Sequence, residues 1–179
     1  GARVLLVLNS SPYHAGKVRE REKMLVARAK AYKAWIVYVN LVGGQDEMVF
    51  DGQSLVVSPG GRTIARGHAF REEVITVDLP VSERMVRGAV PVPFRPAASR
   101  PPVPAPPKAA YLPIEDEVFD ALVCGTRDYV EKNRFPGVVI GLSGGIDSSL
   151  VAAVAVRALG PERVNGAATT EIYTSNASA

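Results

Sequence analysis

The stretch that decides the fold of the second half of the chain is Val138-Val139-Ile140-Gly141-Leu142-Ser143-Gly144-Gly145-Ile146-Asp147-Ser148-Ser149. Its first three residues are apolar and β-branched, as in a buried strand, and a helical pattern runs from about Ser148 to Leu159. Residues 163–168 predict the next strand. A strand, a glycine-rich turn, a helix and a further strand predict one βαβ unit of a parallel sheet.

The turn in this unit has the composition of a phosphate-binding loop. Its glycines let backbone N–H groups approach a polyanion, and the start of the helix adds its positive dipole end. Ser143 and Ser148 add hydroxyl donors. Asp147 would repel phosphate unless a cation lay between them, so we interpret it as a Mg²⁺ ligand that bridges to pyrophosphate oxygens.

Other loop motifs were compared with this turn, and each requires residues at defined positions. It lacks the Gly-Lys-Ser/Thr of a Walker A loop and does not fit Gly-x-Gly-x-x-Gly. Gly141 to Gly145 does match the Gly-x-Ser-x-Gly nucleophile elbow, with Ser143 as nucleophile. That order requires a histidine after the serine, whereas the two histidines, His14 and His68, both precede it. A glycine turn that binds no ligand remains the simplest alternative.

The first half has the pattern of part of an α/β domain, and a further helix precedes the loop. Predicted elements are a strand at Val4–Leu8, a helix at Arg19–Ala34, a strand at Ile36–Leu41, a hairpin of Ser54–Val57 with Thr63–Arg66, a strand at Val74–Val77 and a helix at Ile114–Asn133. The first helix is expected to bury Met24, Leu25, Ala27 and Ala31. The second is expected to bury Val118, Phe119, Leu122, Val123 and Tyr129, with Cys124 inward as a small hydrophobic residue.

A proline-rich segment separates the first part of the chain from the last. Nine of the fourteen prolines lie between Pro80 and Pro107. Each proline removes a backbone donor and restricts the residue before it, so this segment is expected to be an extended connector. We therefore expect three parts, at residues 1–79, 80–108 and 109–179.

The charge pattern and the apolar content of the chain argue against nucleic acid and a membrane as partners. The net charge of +3 does not indicate nucleic acid, because the cations of the first helix alternate with Glu20 and Glu22, as on a solvated surface. The longest apolar runs are far shorter than the roughly 20 residues that span a bilayer. The single cysteine cannot form an internal disulfide and is consistent with a reducing cytoplasm.

The motif Ser143-Gly144-Gly145-Ile146-Asp147-Ser148 resembles the N-type ATP pyrophosphatases, which adenylate a carboxyl or carbonyl oxygen and release pyrophosphate. Their fold implies an adenine nucleotide α-hydrolase-like parallel sheet. The resemblance implies that ATP contacts the whole loop, namely Gly141, Leu142, Ser143, Gly144, Gly145, Ile146, Asp147 and Ser148. Mg²⁺ is the implied cofactor, with Asp147 as its ligand.

The first half is similar to the nitrilase-type glutaminase domain of glutamine-dependent NAD synthetases, an α-β-β-α sandwich. The similarity lies in Asn9-Ser10-Ser11-Pro12-Tyr13-His14, in Tyr38 to Glu47 and in Val49-Phe50-Asp51-Gly52. This family frees ammonia from L-glutamine and uses it to convert adenylated deamido-NAD⁺ to NAD⁺. The match implies that Ser11 and Lys17 bind glutamine, Lys17 through the carboxylate. It also implies a homo-oligomer for the full-length enzyme.

The chain also departs from the family pattern. The Glu-Lys-Cys triad of the family lies upstream of the Asn-x-Ser-Pro segment, so we expect no triad in this chain, no catalytic role for Cys124 and no glutaminase activity. Thr169-Thr170-Glu171-Ile172-Tyr173 stands where the family has a Met-Pro-Ser-Arg-Tyr-like segment, and Glu171 would disfavour ATP. A ligase for another substrate, such as GMP or asparagine, and a non-catalytic remnant remain alternatives.

Overall fold

The computed structural model describes residues 2–80 and 103–168, so the segment Thr169–Tyr173 and most of the proline-rich connector lie outside the described residues. The first part contains a four-stranded sheet in the order β1-β2-β5-β6. Its strands are β1 (Val4–Asn9), β2 (Trp35–Asn40), β5 (Leu55–Val57) and β6 (Thr63–Arg66). β1 and β2 are parallel because helix α1 (Lys17–Tyr32) connects them, whereas β5 and β6 form the predicted antiparallel hairpin.

Helix α1 lies on this sheet and forms the core of the first part. Leu25 and Ala29 pack with Ile36, Tyr38, Leu55 and Val57 of the sheet. Of the residues expected to be buried on α1, only Leu25 is, since Met24, Ala27 and Ala31 are exposed. The helix is rotated because its buried face includes Arg21, which has an acidic partner inside the protein.

A hairpin that the pattern did not predict follows β2. It consists of β3 (Val42–Gln45) and β4 (Met48–Asp51), paired antiparallel. The predicted strand at residues 74–77 is wrong, and Val74 is 96% exposed. The free edge of β6 is taken instead by the end of the connector, since Arg66 N–H donates to the Pro107 carbonyl at 2.9 Å and Ala109 N–H donates to the Arg66 carbonyl at 3.0 Å.

The second part is the predicted βαβ unit, preceded by a helix. Its elements are α2 (Ile114–Lys132), β7 (Val138–Leu142), α3 (Ile146–Leu159), a 3-10 turn (Pro161–Arg163) and β8 (Val164–Ala168). β7 and β8 are parallel neighbours. β7 is less buried than expected, with Val139 71% exposed, because this two-stranded sheet is not covered on both faces.

Helix α2 joins the two parts, because it packs on α3 and also on the β3–β4 hairpin. Its buried residues are Glu117, Ala121, Val123, Cys124 and Val130. The expectation for Val123 is confirmed, but Val118, Leu122 and Tyr129 are exposed and Phe119 is half-buried. Gly125 of the helix faces the hairpin, close to Gly44 and Val49, which the sequence pattern did not reveal. In residues 2–80 and 103–168 no helix has the length and apolar character needed to cross a membrane.

Candidate nucleotide and glutamine sites

The glycine-rich loop lies at the carboxyl end of β7, where α3 begins. Gly144 has a φ of +80°, a left-handed conformation that glycine adopts without the strain of a side chain. Gly145 is the N-cap of α3 and makes no side-chain capping hydrogen bond. The first N–H groups of a helix have no acceptor within the helix. The N–H groups that follow Gly145 are therefore available to a ligand bound in the loop.

The serines of the loop hold its shape. Ser143 Oγ and Ser148 Oγ are 3.2 Å apart, and the Gly145 N–H donates to Ser143 Oγ at 3.4 Å. Ser148 Oγ and Ser149 Oγ both donate to the Gly145 carbonyl, at 3.0 and 2.9 Å. Ser143 and Ser148, placed five residues apart in the sequence, are therefore brought together across the mouth of the turn.

The loop is open to solvent. Gly141 to Asp147 are exposed, Ser148 is half-buried, and the Ile146 side chain is 85% exposed. The loop's own side chains do not fill the space in front of the helix. Asp147 lies in the first turn of α3, and no ion pair of this carboxylate is found among the described residues.

The geometry opposes the hydrolase interpretation of Ser143. The contacts of the Ser143 hydroxyl are with Ser148 and Gly145. His14 interacts with Ala15 and Glu20, and His68 interacts with Glu73, all in the first part of the chain. No Ser-His pair forms at this loop within the described part of the chain, so the loop has no base to activate the serine.

The two residues matched to glutamine binding lie in one loop between β1 and α1. The Ser11 N–H donates to Asn40 Oδ1 at 2.9 Å, and Lys17 Nζ donates to the Pro12 carbonyl. Lys17 is also the first residue of α1, and the start of a helix favours an anion nearby. The loop therefore carries the Lys17 cation, while the backbone N–H groups of Ser11 and Tyr13 are hydrogen-bonded within the protein.

A buried polar network supports the glutamine loop, and the sequence did not reveal it. The Arg21 guanidinium pairs with both carboxylate oxygens of Asp51, at 2.9 and 3.0 Å, and both side chains are at most 3% exposed. Asn40 Nδ2 donates to Asp51 at 3.2 Å while its oxygen accepts from Ser11. Gln53 donates to the same carboxylate at 3.1 Å. The sequence feature that could have revealed this network is Arg21, a charged residue that lies at helical spacing on the same face as the buried Leu25 and Ala29.

Cys124 has the properties of a structural residue. Its side chain is 1% exposed on α2, where the Arg127 guanidinium is 3.7 Å from the sulfur. Burial, together with the nearby charge of Asp128, raises the pKa of the thiol above its ordinary value. A buried thiol that stays protonated is a poor nucleophile. The inward position expected for Cys124 is confirmed.

Comparison with known proteins defines the class. Residues 1–85 match the carbon–nitrogen hydrolase family and residues 118–179 match the NAD synthase family. The second match includes the glycine loop and extends over Thr169–Tyr173. A carbon–nitrogen hydrolase segment is thus followed in one chain by an NAD synthase segment.

Relatives that contain both segments include two glutamine-dependent NAD(+) synthetases. The protein from Aquifex aeolicus is 42% identical over 180 residues, which cover 93% of this chain and 32% of the relative. The protein from Thermotoga maritima is 43% identical over 193 residues, covering 99% of this chain and 34% of the relative. The chain belongs to the glutamine-dependent NAD(+) synthetase family, and it spans about a third of the length of these relatives.

Solved structures agree with this assignment. The glutamine-dependent NAD+ synthetase from Acinetobacter baumannii, in complex with adenosine diphosphate, superposes with a TM-score of 0.72 at 38% identity. That alignment covers 91% of this chain and 28% of the other. The synthetase from Cytophaga hutchinsonii, at 24% identity and a TM-score of 0.56, shows the same fold.

Proposed function

We propose that this chain supplies the ATP-binding loop and part of the glutamine site of an enzyme that makes NAD⁺ from deamido-NAD⁺, ATP and L-glutamine. The observation that carries the proposal is the open turn at Gly144, from which the free N–H groups of α3 point outward. The ADP complex of the Acinetobacter baumannii relative supports a nucleotide as the occupant.

The chemistry assigned to the loop is electrostatic. Attack of the deamido-NAD⁺ carboxylate on the α-phosphorus of ATP forms an adenylate and expels pyrophosphate, on which negative charge grows. The amides at the start of α3 and the hydroxyls of Ser143 and Ser148 stabilise that charge, because donors fixed in advance need no reorganisation. Ammonia then displaces AMP to form the amide.

Asp147 is proposed to hold Mg²⁺. Its exposed carboxylate lies in the first turn of α3 and faces solvent. This fits Mg²⁺, which is often held by one or two carboxylates while waters and substrate phosphates fill its other positions. When bound, the ion neutralises charge on the pyrophosphate leaving group.

The glutamine role is assigned to the loop between β1 and α1. Lys17 holds the α-carboxylate of L-glutamine as a point charge, and Ser11, fixed through Asn40, contacts the substrate. Since the Glu-Lys-Cys triad of the family precedes the Asn-x-Ser-Pro segment in the family pattern, we expect the 179-residue chain alone not to hydrolyse glutamine. We also propose a cytoplasmic location, a homo-oligomeric full-length enzyme, and domain limits at residues 79 and 108.

Isothermal titration calorimetry with ATP tests the nucleotide site. We expect Asp147→Asn to weaken binding in MgCl₂ by about 10-fold or more, because a carboxylate that binds the metal is lost, and Ser143→Ala to weaken it about 3-fold. Asp116→Asn, which removes an exposed charge from the first turn of α2, is the matched control and should bind like wild type. In EDTA the difference between wild type and Asp147→Asn should disappear. The proposal is wrong if the wild-type chain gives no heat, or if Asp147→Asn keeps full affinity in Mg²⁺.

A further inference from the structure

Glu117 is a buried carboxylate with no role in the nucleotide site. It belongs to the acidic first turn of α2, where Glu115 and Asp116 are exposed, yet Glu117 is only 5% exposed. Its Oε1 accepts the N–H of Gly16 at 3.0 Å. One carboxylate of α2 therefore reaches into the first part of the chain, 101 residues away in sequence.

The contact point is the end of the glutamine loop. Gly16 precedes α1 directly, with a φ of +78°, and no side-chain hydrogen bond caps the helix there. Lys17 follows it. A carboxylate at this position satisfies a backbone donor and complements the positive end of α1. Glu117 thus replaces the missing local cap with a group from another part of the chain.

A second residue of the same loop, Tyr13, is influenced by the charge of Glu117. The Tyr13 backbone N–H donates to the Val49 carbonyl at 2.7 Å, and its ring packs edge-on against Phe70 with 5.3 Å between centroids. Burial raises the pKa of the Tyr13 hydroxyl to about 12, and the negative charge of Glu117 adds to the effect. The end of the loop is therefore hydrogen-bonded to Glu117 at Gly16, and the charge of Glu117 also acts on Tyr13 in the middle of the loop.

We propose that Glu117 is a positioning residue for glutamine: from the helix that leads into the NAD synthase segment, it fixes the loop of residues 11–17 in the conformation that presents Ser11 and Lys17. This inference rests on the proposed glutamine role of those two residues. α2 also packs on α3, the helix that begins at the glycine loop. A single helix thus contacts the element behind the nucleotide site and holds the glutamine loop.

Amide hydrogen exchange on the ¹⁵N-labelled chain tests the positioning role without any ligand. Glu117→Ala should speed exchange of the Gly16 amide by about 10-fold or more, because a hydrogen bond to a charged acceptor is lost. Glu117→Gln keeps an acceptor oxygen and should restore most of the protection. Glu115→Gln, an exposed neighbour, is the matched control. Unchanged Gly16 exchange in Glu117→Ala, or equal acceleration across the α1 core, would overturn the proposal.

Titration with L-glutamine, followed through the Ser11 and Lys17 amide signals, tests the link to substrate. We expect wild type, Glu117→Gln and Glu115→Gln to respond alike, and Glu117→Ala to need about 10-fold more glutamine. No response in the wild type would contradict the glutamine site itself, while the Gly16 exchange data would still decide the role of Glu117. Full glutamine affinity in Glu117→Ala would show that the loop does not need the carboxylate.

Discussion

At the residue scale, the Glu22 carboxylate shows how one side chain joins three segments. Arg66 donates to it at 2.8 Å, Thr63 donates at 2.5 Å, and the Tyr111 hydroxyl also donates to it. The Tyr111 ring lies between the guanidinium groups of Arg19 and Arg66, which are 4.2 and 4.1 Å from its centroid. The segment between the connector and α2 is thereby attached to α1 and β6.

This cluster predicts an acid-sensitive contribution to stability. Burial alone would raise the pKa of Glu22, but hydrogen bonds from Thr63, Tyr111 and Arg66, and the Arg66 charge, outweigh it and lower the pKa below the ordinary value of 4.5. A lowered folded pKa gives stability that is fully present above the unfolded value and lost as pH falls through the folded value.

We therefore expect Glu22→Gln to cost about 2–3 kcal/mol at pH 7 and to flatten the loss of stability below about pH 4.5. Urea unfolding from pH 7 to pH 3 measures both effects. Glu20→Gln is the matched control, since the Glu20 side chain is 74% exposed. An acid limb of the same steepness in wild type and Glu22→Gln would show that another group causes the acid sensitivity.

At the element scale, the Arg21–Asp51 pair joins helix α1 to strand β4. Removing one partner leaves a buried charge without compensation, which costs about 3–5 kcal/mol. We expect Asp51→Asn to lower the free energy of urea unfolding by that amount, and also to loosen Asn40, which holds Ser11. Asp46→Asn, at the exposed hairpin turn, should be close to neutral because asparagine tolerates its φ of +51°. A cost below 1 kcal/mol for Asp51→Asn would mean that the pair is dispensable.

The β3–β4 hairpin is attached to α2 by a contact that requires glycine. The Gly44 N–H donates to Asp128 Oδ2 at 2.8 Å, and Lys132 Nζ donates to the Gly44 carbonyl. At the preceding position, Gly43 has a φ of +130°, and a Cβ there would lie 2.7 Å from Asp128 Oδ2. The backbone conformation disfavours a side chain at Gly43, and a Cβ there would force the Asp128 carboxylate to move.

We expect Gly43→Ala to destabilise the chain by about 1–3 kcal/mol, because it strains the backbone and displaces Asp128. Gly60→Ala is the control, since a Cβ at Gly60 meets no atom within 4 Å. Urea unfolding gives the cost, and hydrogen exchange on α2 shows where it falls. Equal stability of the two variants would contradict a required close approach at Gly43.

At the scale of the whole molecule, the sequence predicted what local signals determine. Apolar runs located β1, β2 and β7, the Pro59-Gly60-Gly61 turn located the β5–β6 hairpin, and the glycine loop located the start of α3. Each of these signals lies within about ten residues, so no knowledge of distant partners is needed.

The rest depended on partners far away in the sequence. Arg21 is buried because Asp51, thirty residues later, neutralises it. Glu117 resembles an ordinary helix-dipole acid until its partner Gly16 is known. The orientation of α2 follows from packing against a hairpin that the pattern did not show. Buried faces and polar networks are properties of tertiary contacts, and periodicity alone does not encode them.

The outer face of β1 sets a last expectation for the whole chain. β1 is an edge strand of the described sheet, and side chains alternate along it, so that Leu5 packs on the core while Leu6 and Leu8 are 74% and 84% exposed. An exposed apolar edge promotes association between copies.

We expect the double variant Leu6→Lys, Leu8→Lys to raise the concentration at which light scattering detects aggregates, with the free energy of unfolding changed by less than about 1 kcal/mol. Leu5→Lys, the control on the partly buried inner face, should instead destabilise the fold by about 2 kcal/mol or more, because it places an unpaired charge against the apolar core. If the double variant unfolds as readily as Leu5→Lys, then Leu6 and Leu8 are covered in solution, and the outer face of β1 is an interface.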